Sequence, residues 1–92
     1  MNYSVDKTVG KNIKRLRNQR NYSQNTLSIK LQNNGYYLSR SDISKIEIGK
    51  RHIYAQDIYH IKNALNTTYD ELFKSDENLE LYLEYLLEEH KS

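Results

Sequence analysis

The sequence predicts an all-α fold, and three of its features support that prediction. Apolar residues, mostly Leu and Ile, recur every three or four positions along most of the chain, which is the spacing of one face of an α-helix. The 92 residues include three glycines and no proline, the two residue types that interrupt helices most strongly. Serine or threonine precedes several of the periodic stretches, as helix N-caps do.

The length of the chain fits one compact core. We expect a five-helix domain over residues 6–74 and a C-terminal sixth helix within residues 75–92. No run of about 18 apolar residues is present, so no membrane span is expected, and the N-terminal residues lack the apolar region of a secretory signal. The chain has no cysteine, which is compatible with a reducing compartment. We therefore expect a cytoplasmic protein.

The first predicted helix covers residues 6–20, with Asp6 as its N-cap. Gly10 lies inside this helix and costs about 1 kcal/mol relative to alanine, which is tolerable if another backbone packs closely there. Arg17 lies beside the apolar stripe of the helix and not opposite it. That stripe consists of Val9, Ile13 and Leu16.

Local signals define the next two helices. Ser23 is the expected N-cap of a helix over 24–32, and Asn33-Asn34-Gly35 ends it, because Asn and Gly tolerate positive φ. Ser39 and Asp42 have capping-box spacing and open the third helix. The positions of the third helix that face inward are Ile43 and Ile46, and those that face outward are Arg40, Ser41, Ser44 and Lys45.

The rest of the chain predicts three more helices. Residues 55–65 place Ile58, Ile61 and Leu65 on one face, and Thr68 and Glu71 form another capping box before a short fifth helix. The sixth helix begins near Ser75 and is apolar on two sides, which indicates burial on two sides. We interpret it as a dimerisation element, the alternative being a helix folded entirely onto its own domain. The predicted dimer interface comprises Leu81, Tyr82, Tyr85 and Leu86.

Charge is divided unevenly between the two halves of the chain. Residues 1–51 carry eleven Lys and Arg against three Asp and Glu, a net charge of +8. Residues 52–92 carry three against nine, a net charge of −6, so the whole chain has +2. A basic half beside an acidic half favours a polyanion on one side only. The alternative is solvated charge without a partner.

Motifs for catalysis or cofactor binding are absent from the sequence. The three histidines are scattered, with no HExxH pattern and no cysteine partners, so we expect no metal site. The isolated glycines do not form a phosphate-binding loop, and no serine lies in a G-x-S-x-G context. We therefore expect neither an enzyme nor a cofactor.

Three segments at fixed mutual spacing resemble one family of DNA-binding proteins. They read Ile13-Lys14-Arg15-Leu16-Arg17, Ser23-Gln24-x-x-Leu27-Ser28-x-x-Leu31, and Ser39-Arg40-Ser41-x-Ile43-Ser44-Lys45-Ile46-Glu47-x-Gly49-Lys50-Arg51. Together they look like the phage-repressor/Cro type of helix-turn-helix, also called the xenobiotic-response-element family, over residues 9–73. Two features depart from the family pattern. Ser28 replaces the usual alanine, and the turn over residues 33–38 is about four residues longer than the usual connection.

The resemblance implies a lambda-repressor-like fold and a transcriptional regulator, a repressor, that binds double-stranded DNA as a homodimer on an inverted repeat. It also implies a structural ion pair between Arg17 and Glu47. By the same resemblance, bases are contacted by Arg40, Ser41, Ser44 and Lys45, and phosphates by Gln24, Lys50 and Arg51.

Two other functions remain open at this point. One is the antitoxin of a toxin–antitoxin pair, in which the acidic C-terminal helix would bind a basic protein partner. The other is a protein-interaction module without DNA binding. The outward cations of residues 40–51 argue against the second, because the sequence offers them no other role.

Overall fold

The computed structural model describes residues 3–75 and 87–88, and all the regular structure in those residues is α-helical. The all-α prediction is therefore confirmed for this part of the chain. None of the helices in it is long and apolar enough to span a membrane. The helices are α1 (Tyr3–Gln19), α2 (Gln24–Asn33), α3 (Arg40–Glu47), α4 (Ala55–Leu65) and α5 (Tyr69–Phe73).

The predicted sixth helix, within residues 75–92, falls almost wholly outside the described residues, which include only 75, 87 and 88 of that range. The four residues assigned to a dimer interface, Leu81, Tyr82, Tyr85 and Leu86, also lie outside them.

One apolar core joins the five helices. α1 packs against α3, α4 and α5, while α2 packs against α3 and α4. The three predicted stripe residues of α1 are all buried, as is each inward residue of α3. The core side chains are Val9, Ile13, Leu16, Leu27, Leu31, Leu38, Ile43, Ile46, Ile53, Ile61, Leu65 and Leu72.

The start of α1 differs from the prediction. The helix begins at Tyr3, so Asp6 lies within it, and its assignment as the N-cap is wrong. Asp6 is buried, with Oδ2 3.0 Å from Nδ1 of His52, and its Oδ1 accepts a hydrogen bond from the backbone N–H of Ile53 at 3.4 Å. The carboxylate therefore joins α1 to the loop after α3 instead of capping its own helix.

Gly10 allows two helices to touch through their backbones. A Cβ atom built at this position would overlap the carbonyl oxygen of Ile46 in α3. The condition under which a glycine is tolerable inside this helix, a closely packed backbone, is therefore met.

The predicted caps of α2 and α3 are confirmed. Ser23 accepts a hydrogen bond from the N–H of Thr26 at 2.9 Å. At the start of α3, the Ser39 hydroxyl accepts from the Asp42 N–H at 2.9 Å and the Asp42 carboxylate accepts from the Ser39 N–H at 3.0 Å. Gly35 has a φ of 82° just after α2, as the stop signal predicts.

Side chains of α1 hold the short helix α5 in place. Thr68 accepts from the Glu71 N–H at 3.2 Å, while the Glu71 carboxylate lies 3.0 Å from Nη2 of Arg15. The buried amide of Asn12 donates to the carbonyls of Leu72 and Lys74, each at 2.7 Å. The Glu71 side chain thus binds α1, where the capping box would have bound it to the start of α5.

Candidate functional site

The outer side of α3 presents polar and cationic side chains to solvent. Arg40, Ser41 and Lys45 are exposed, and Ser44 is half-buried. Because residues three and four apart are neighbours on a helix surface, these side chains form one continuous strip. We call these four residues the α3 strip. The opposite side of the helix is buried in the core.

A shallow depression places the start of α2 beside the α3 strip. Gln24 and Asn25 line it from the first turn of α2, and Arg40 lines it from α3. The first turn of α2 contains no acidic residue. The partial positive charge of its backbone N–H groups is therefore not neutralised by a carboxylate of that turn.

A buried ion pair fixes α3 against α1. Nε of Arg17 lies 2.7 Å from Oε2 of Glu47, and Nη2 lies 2.9 Å from Oε1, so the contact is bidentate. Nη1 of Arg17 also donates to the carbonyl of Tyr22 at 2.8 Å. Both residues of the pair are less than a tenth exposed. The hydrogen bond to Glu47 raises the pKa of Arg17.

Gln24 is held by the same carboxylate. Its Nε2 donates to Oε1 of Glu47 at 3.1 Å, which leaves the second N–H and the carbonyl oxygen of the amide for another partner. Gln24 is half-buried at the edge of the depression. The ion pair therefore both fixes α3 and orients a polar side chain at the start of α2.

The two cations after α3 differ in their surroundings. Lys50 is exposed and forms no salt bridge with the described residues. Arg51 is held inside the fold, with Nη1 2.9 Å from Oδ2 of Asp57 and 2.9 Å from the carbonyl of His52. Its side chain is 26% exposed. The guanidinium group retains further N–H donors, but its position is set by Asp57.

Asp57, which is fully buried, was not predicted from the sequence as part of the site. Besides Arg51, it accepts hydrogen bonds from the Tyr36 hydroxyl at 2.5 Å and the Tyr54 N–H at 2.8 Å. Burial favours a higher pKa for Asp57, but these hydrogen bonds outweigh it and hold the pKa below the usual value. The capping-box spacing of Tyr54 and Asp57 at the start of α4 was the available signal.

The long turn between α2 and α3 is held on both sides of one exposed residue. The Tyr36 ring stacks on His60 with centroids 4.2 Å apart. The Ser28 hydroxyl donates to the carbonyl of Leu38 at 2.6 Å. Tyr37, between these two anchored residues, is 66% exposed. Ser28 and the long turn are therefore in contact, and the Ser28 hydrogen bond holds the end of the turn that leads into α3.

The site offers cations and hydrogen-bond donors for an anionic partner. Arg40, Lys45 and Lys50 form no salt bridge with other residues of 3–75 and 87–88. No group of three or more His, Asp or Glu residues within that part of the chain could hold a metal ion. In comparisons with known proteins, no protein-family model, curated protein or solved structure matches this chain.

Proposed function

We propose that this chain is a sequence-specific DNA-binding transcriptional regulator, a repressor, that acts in the cytoplasm. In this proposal α2 and α3 are a helix-turn-helix of the phage-repressor/Cro type within a lambda-repressor-like domain. The observation that supports it most directly is the α3 strip, an exposed polar and cationic surface whose helix is fixed on its other side by Arg17 and Glu47. A rigid helix with such a surface has the chemistry needed to enter the DNA major groove.

The α3 strip supplies the proposed base contacts. The Arg40 guanidinium can donate two hydrogen bonds to O6 and N7 of a guanine, a pairing worth about 1–3 kcal/mol of discrimination. Ser41 lies beside it in the first turn, where residues of a groove-bound helix reach base edges. Ser44 and Lys45 follow one turn later and reach a base or the flanking phosphate.

The proposed phosphate contacts surround the strip. Gln24 presents its remaining amide N–H beside the first turn of α2, where backbone N–H groups also favour an anion. Lys50 is exposed after α3 and can neutralise a phosphate. Arg51 contributes through the N–H groups that Asp57 and His52 do not occupy. These contacts set the register of the protein on DNA without reading its sequence.

A homodimer on an inverted repeat completes the proposal. Two-fold symmetry would place two copies of α3 in half-sites about 34–36 Å apart, one helical turn of DNA. The sequence pattern of the predicted C-terminal helix favours it as the element that joins the copies.

Salt-dependent binding tests the proposed function. The affinity of the wild-type protein for a random-sequence duplex should fall steeply with salt, because phosphate neutralisation releases counterions. Replacing Arg40 and Lys45 by alanine should lower the affinity and reduce the slope of log affinity against log salt by about one to two. The matched control replaces Lys62, in α4, and Lys74, just after α5, by alanine. It should leave the slope unchanged.

Each outcome of this experiment is decisive. Wild-type protein that shows no salt-dependent binding would refute the proposed function. Full affinity and an unchanged slope in the folded Arg40/Lys45 variant would refute the α3 strip as the DNA-contacting surface.

A further inference from the structure

The turn between α2 and α3 contains an exposed tyrosine, Tyr37, whose side chain does not contribute to the core. Tyr37 is 66% exposed, and within the described part of the chain it makes no hydrogen bond, ring contact or cation–π contact. The adjacent Tyr36 differs in each respect, since its ring stacks on His60 and its hydroxyl donates to Asp57. An exposed tyrosine alone is common on protein surfaces, so its meaning depends on how it is held.

The backbone on both sides of Tyr37 is fixed. Before it, the stacking and hydrogen bond of Tyr36 attach the turn to α4. After it, the buried Leu38 accepts the hydrogen bond from Ser28, and Ser39 caps α3. Tyr37 therefore retains freedom mainly in its two side-chain torsions. A binding contact made by such a side chain loses little conformational entropy.

The position of Tyr37 relative to α3 indicates which part of a bound DNA duplex its side chain would contact. It precedes the N-cap Ser39 by two residues and Arg40 by three. If the first turn of α3 reaches base edges, the residues just before it lie where the DNA backbone borders the groove. Tyrosine hydroxyls are among the groups that hydrogen-bond phosphate oxygens.

We propose that the Tyr37 hydroxyl donates a hydrogen bond to a phosphodiester oxygen of the duplex bound by α3. This inference rests on the proposed function. The contact is uncharged, so it helps to set the register without releasing a counterion. Ser28 is a positioning residue in this arrangement, because its hydrogen bond holds the turn that presents Tyr37.

The test compares Tyr37→Phe with Tyr59→Phe, a control in α4 whose side chain is 53% exposed. Both variants keep the ring and lose one hydroxyl. Binding is measured with a random-sequence duplex and with duplexes that the wild-type protein selects from a random pool. On both, Tyr37→Phe should weaken binding several-fold, up to about tenfold. The loss should be the same on every sequence, and the salt slope should not change because no cation is removed. Tyr59→Phe should bind like the wild type.

The salt slope separates this inference from the proposed function. If the wild type binds with a steep salt slope and Tyr37→Phe binds equally well, the Tyr37 contact is refuted and the proposed function stands. If the wild type shows no salt-dependent binding, both fail. A loss restricted to certain sequences would refute the phosphate assignment, because that result indicates contact with a base.

A double-mutant cycle tests the role of Ser28. Ser28→Ala should weaken DNA binding when Tyr37 is present and have no further effect in the Tyr37→Phe background. Additive losses would refute the positioning role. Thermal unfolding of all variants, followed by circular dichroism, establishes that each protein is folded at the temperature of the binding measurement.

Discussion

Six of the eleven basic residues in the first half of the chain form two groups with different surroundings. The paired arginines, Arg15, Arg17 and Arg51, each lie within 3.0 Å of a carboxylate oxygen. The surface cations, Arg40, Lys45 and Lys50, are exposed and form no salt bridge with the described residues. The net charge of +8 in residues 1–51 therefore overstates the charge available to a polyanion.

The two groups also differ in the chemistry of their side chains. All three paired residues are arginines, whose planar guanidinium groups fit carboxylates and remain charged when buried. Two of the three surface cations are lysines, whose compact ammonium groups are strongly hydrated. Fold stability should therefore depend on the paired arginines, and salt-sensitive binding on the surface cations.

The largest expected effect on stability comes from breaking the buried pair. Glu47→Ala leaves the Arg17 guanidinium buried without its carboxylate and should lower the free energy of unfolding by about 3–5 kcal/mol. Glu71→Ala breaks the Arg15 pair, in which the side chains are 36% and 41% exposed, and should cost less than about 1 kcal/mol. Urea denaturation measures both. Equal losses would contradict the distinction between a buried and an exposed pair.

Removal of Asp57 should have the next largest effect. Asp57→Ala deprives Tyr36, Tyr54 and Arg51 of their acceptor and should cost about 1–3 kcal/mol at neutral pH. The pKa of Asp57 is lowered in the fold, so its contribution is present above the usual carboxyl pKa, about 3.9. The contribution is lost as pH falls through the lower folded value. The stability difference between wild type and Asp57→Ala should therefore shrink with acidification; a constant difference would disprove the linkage.

Tyr36→Phe tests the stability of the fold at high pH, and its expected effect is smaller than that of Asp57→Ala. Burial and the hydrogen bond to Asp57 raise the pKa of Tyr36 to about 12. A raised pKa contributes stability that is present below the usual tyrosine value, about 10, and lost as pH rises through the folded value. Wild type should exceed Tyr36→Phe by about 1 kcal/mol at neutral pH, and the difference should disappear as pH rises from about 10 to about 12. An advantage that persists there would contradict this assignment.

The smallest stability effects are expected at the surface cations. Lys45→Ala and Lys50→Ala should each leave the free energy of unfolding within about 0.5 kcal/mol of the wild type. Each should nevertheless weaken DNA binding and reduce the salt slope by about one. Stability and binding measured on the same preparations test the comparison. A lysine whose removal destabilises the fold without changing the slope would belong with the paired arginines.

The sequence predicted the parts of the fold that depend on nearby residues. The caps Ser23 and Ser39 and the stop at Gly35 are local features, because each acts within about one helical turn. The outward placement of the α3 strip followed from helical spacing alone. The pairing of Arg17 with Glu47 came from the resemblance, since spacing alone placed Arg17 no more closely than beside the apolar stripe.

Contacts between distant residues were not predictable in this way. Asp6 has the residue type of an N-cap and precedes the apolar stripe of α1, yet it lies within the helix and its partner His52 is 46 residues away. The Asn12 amide binds carbonyls 60 and 62 residues away. Asp57 carried a local capping signal, but its bonds to Tyr36 and Arg51 depend on the packing of the turn and the loop against α4.

The backbone contact at Gly10 places a constraint on how this sequence can evolve. The distance between α1 and α3 is set at a point where no side-chain atom fits, so any other residue there would force α3 outward. Such a shift of α3 would disturb the Arg17–Glu47 pair and would also move the α3 strip. A residue with no chemistry of its own thus limits the substitutions that preserve this surface, and selection on it should be visible at position 10 as well as at Arg40.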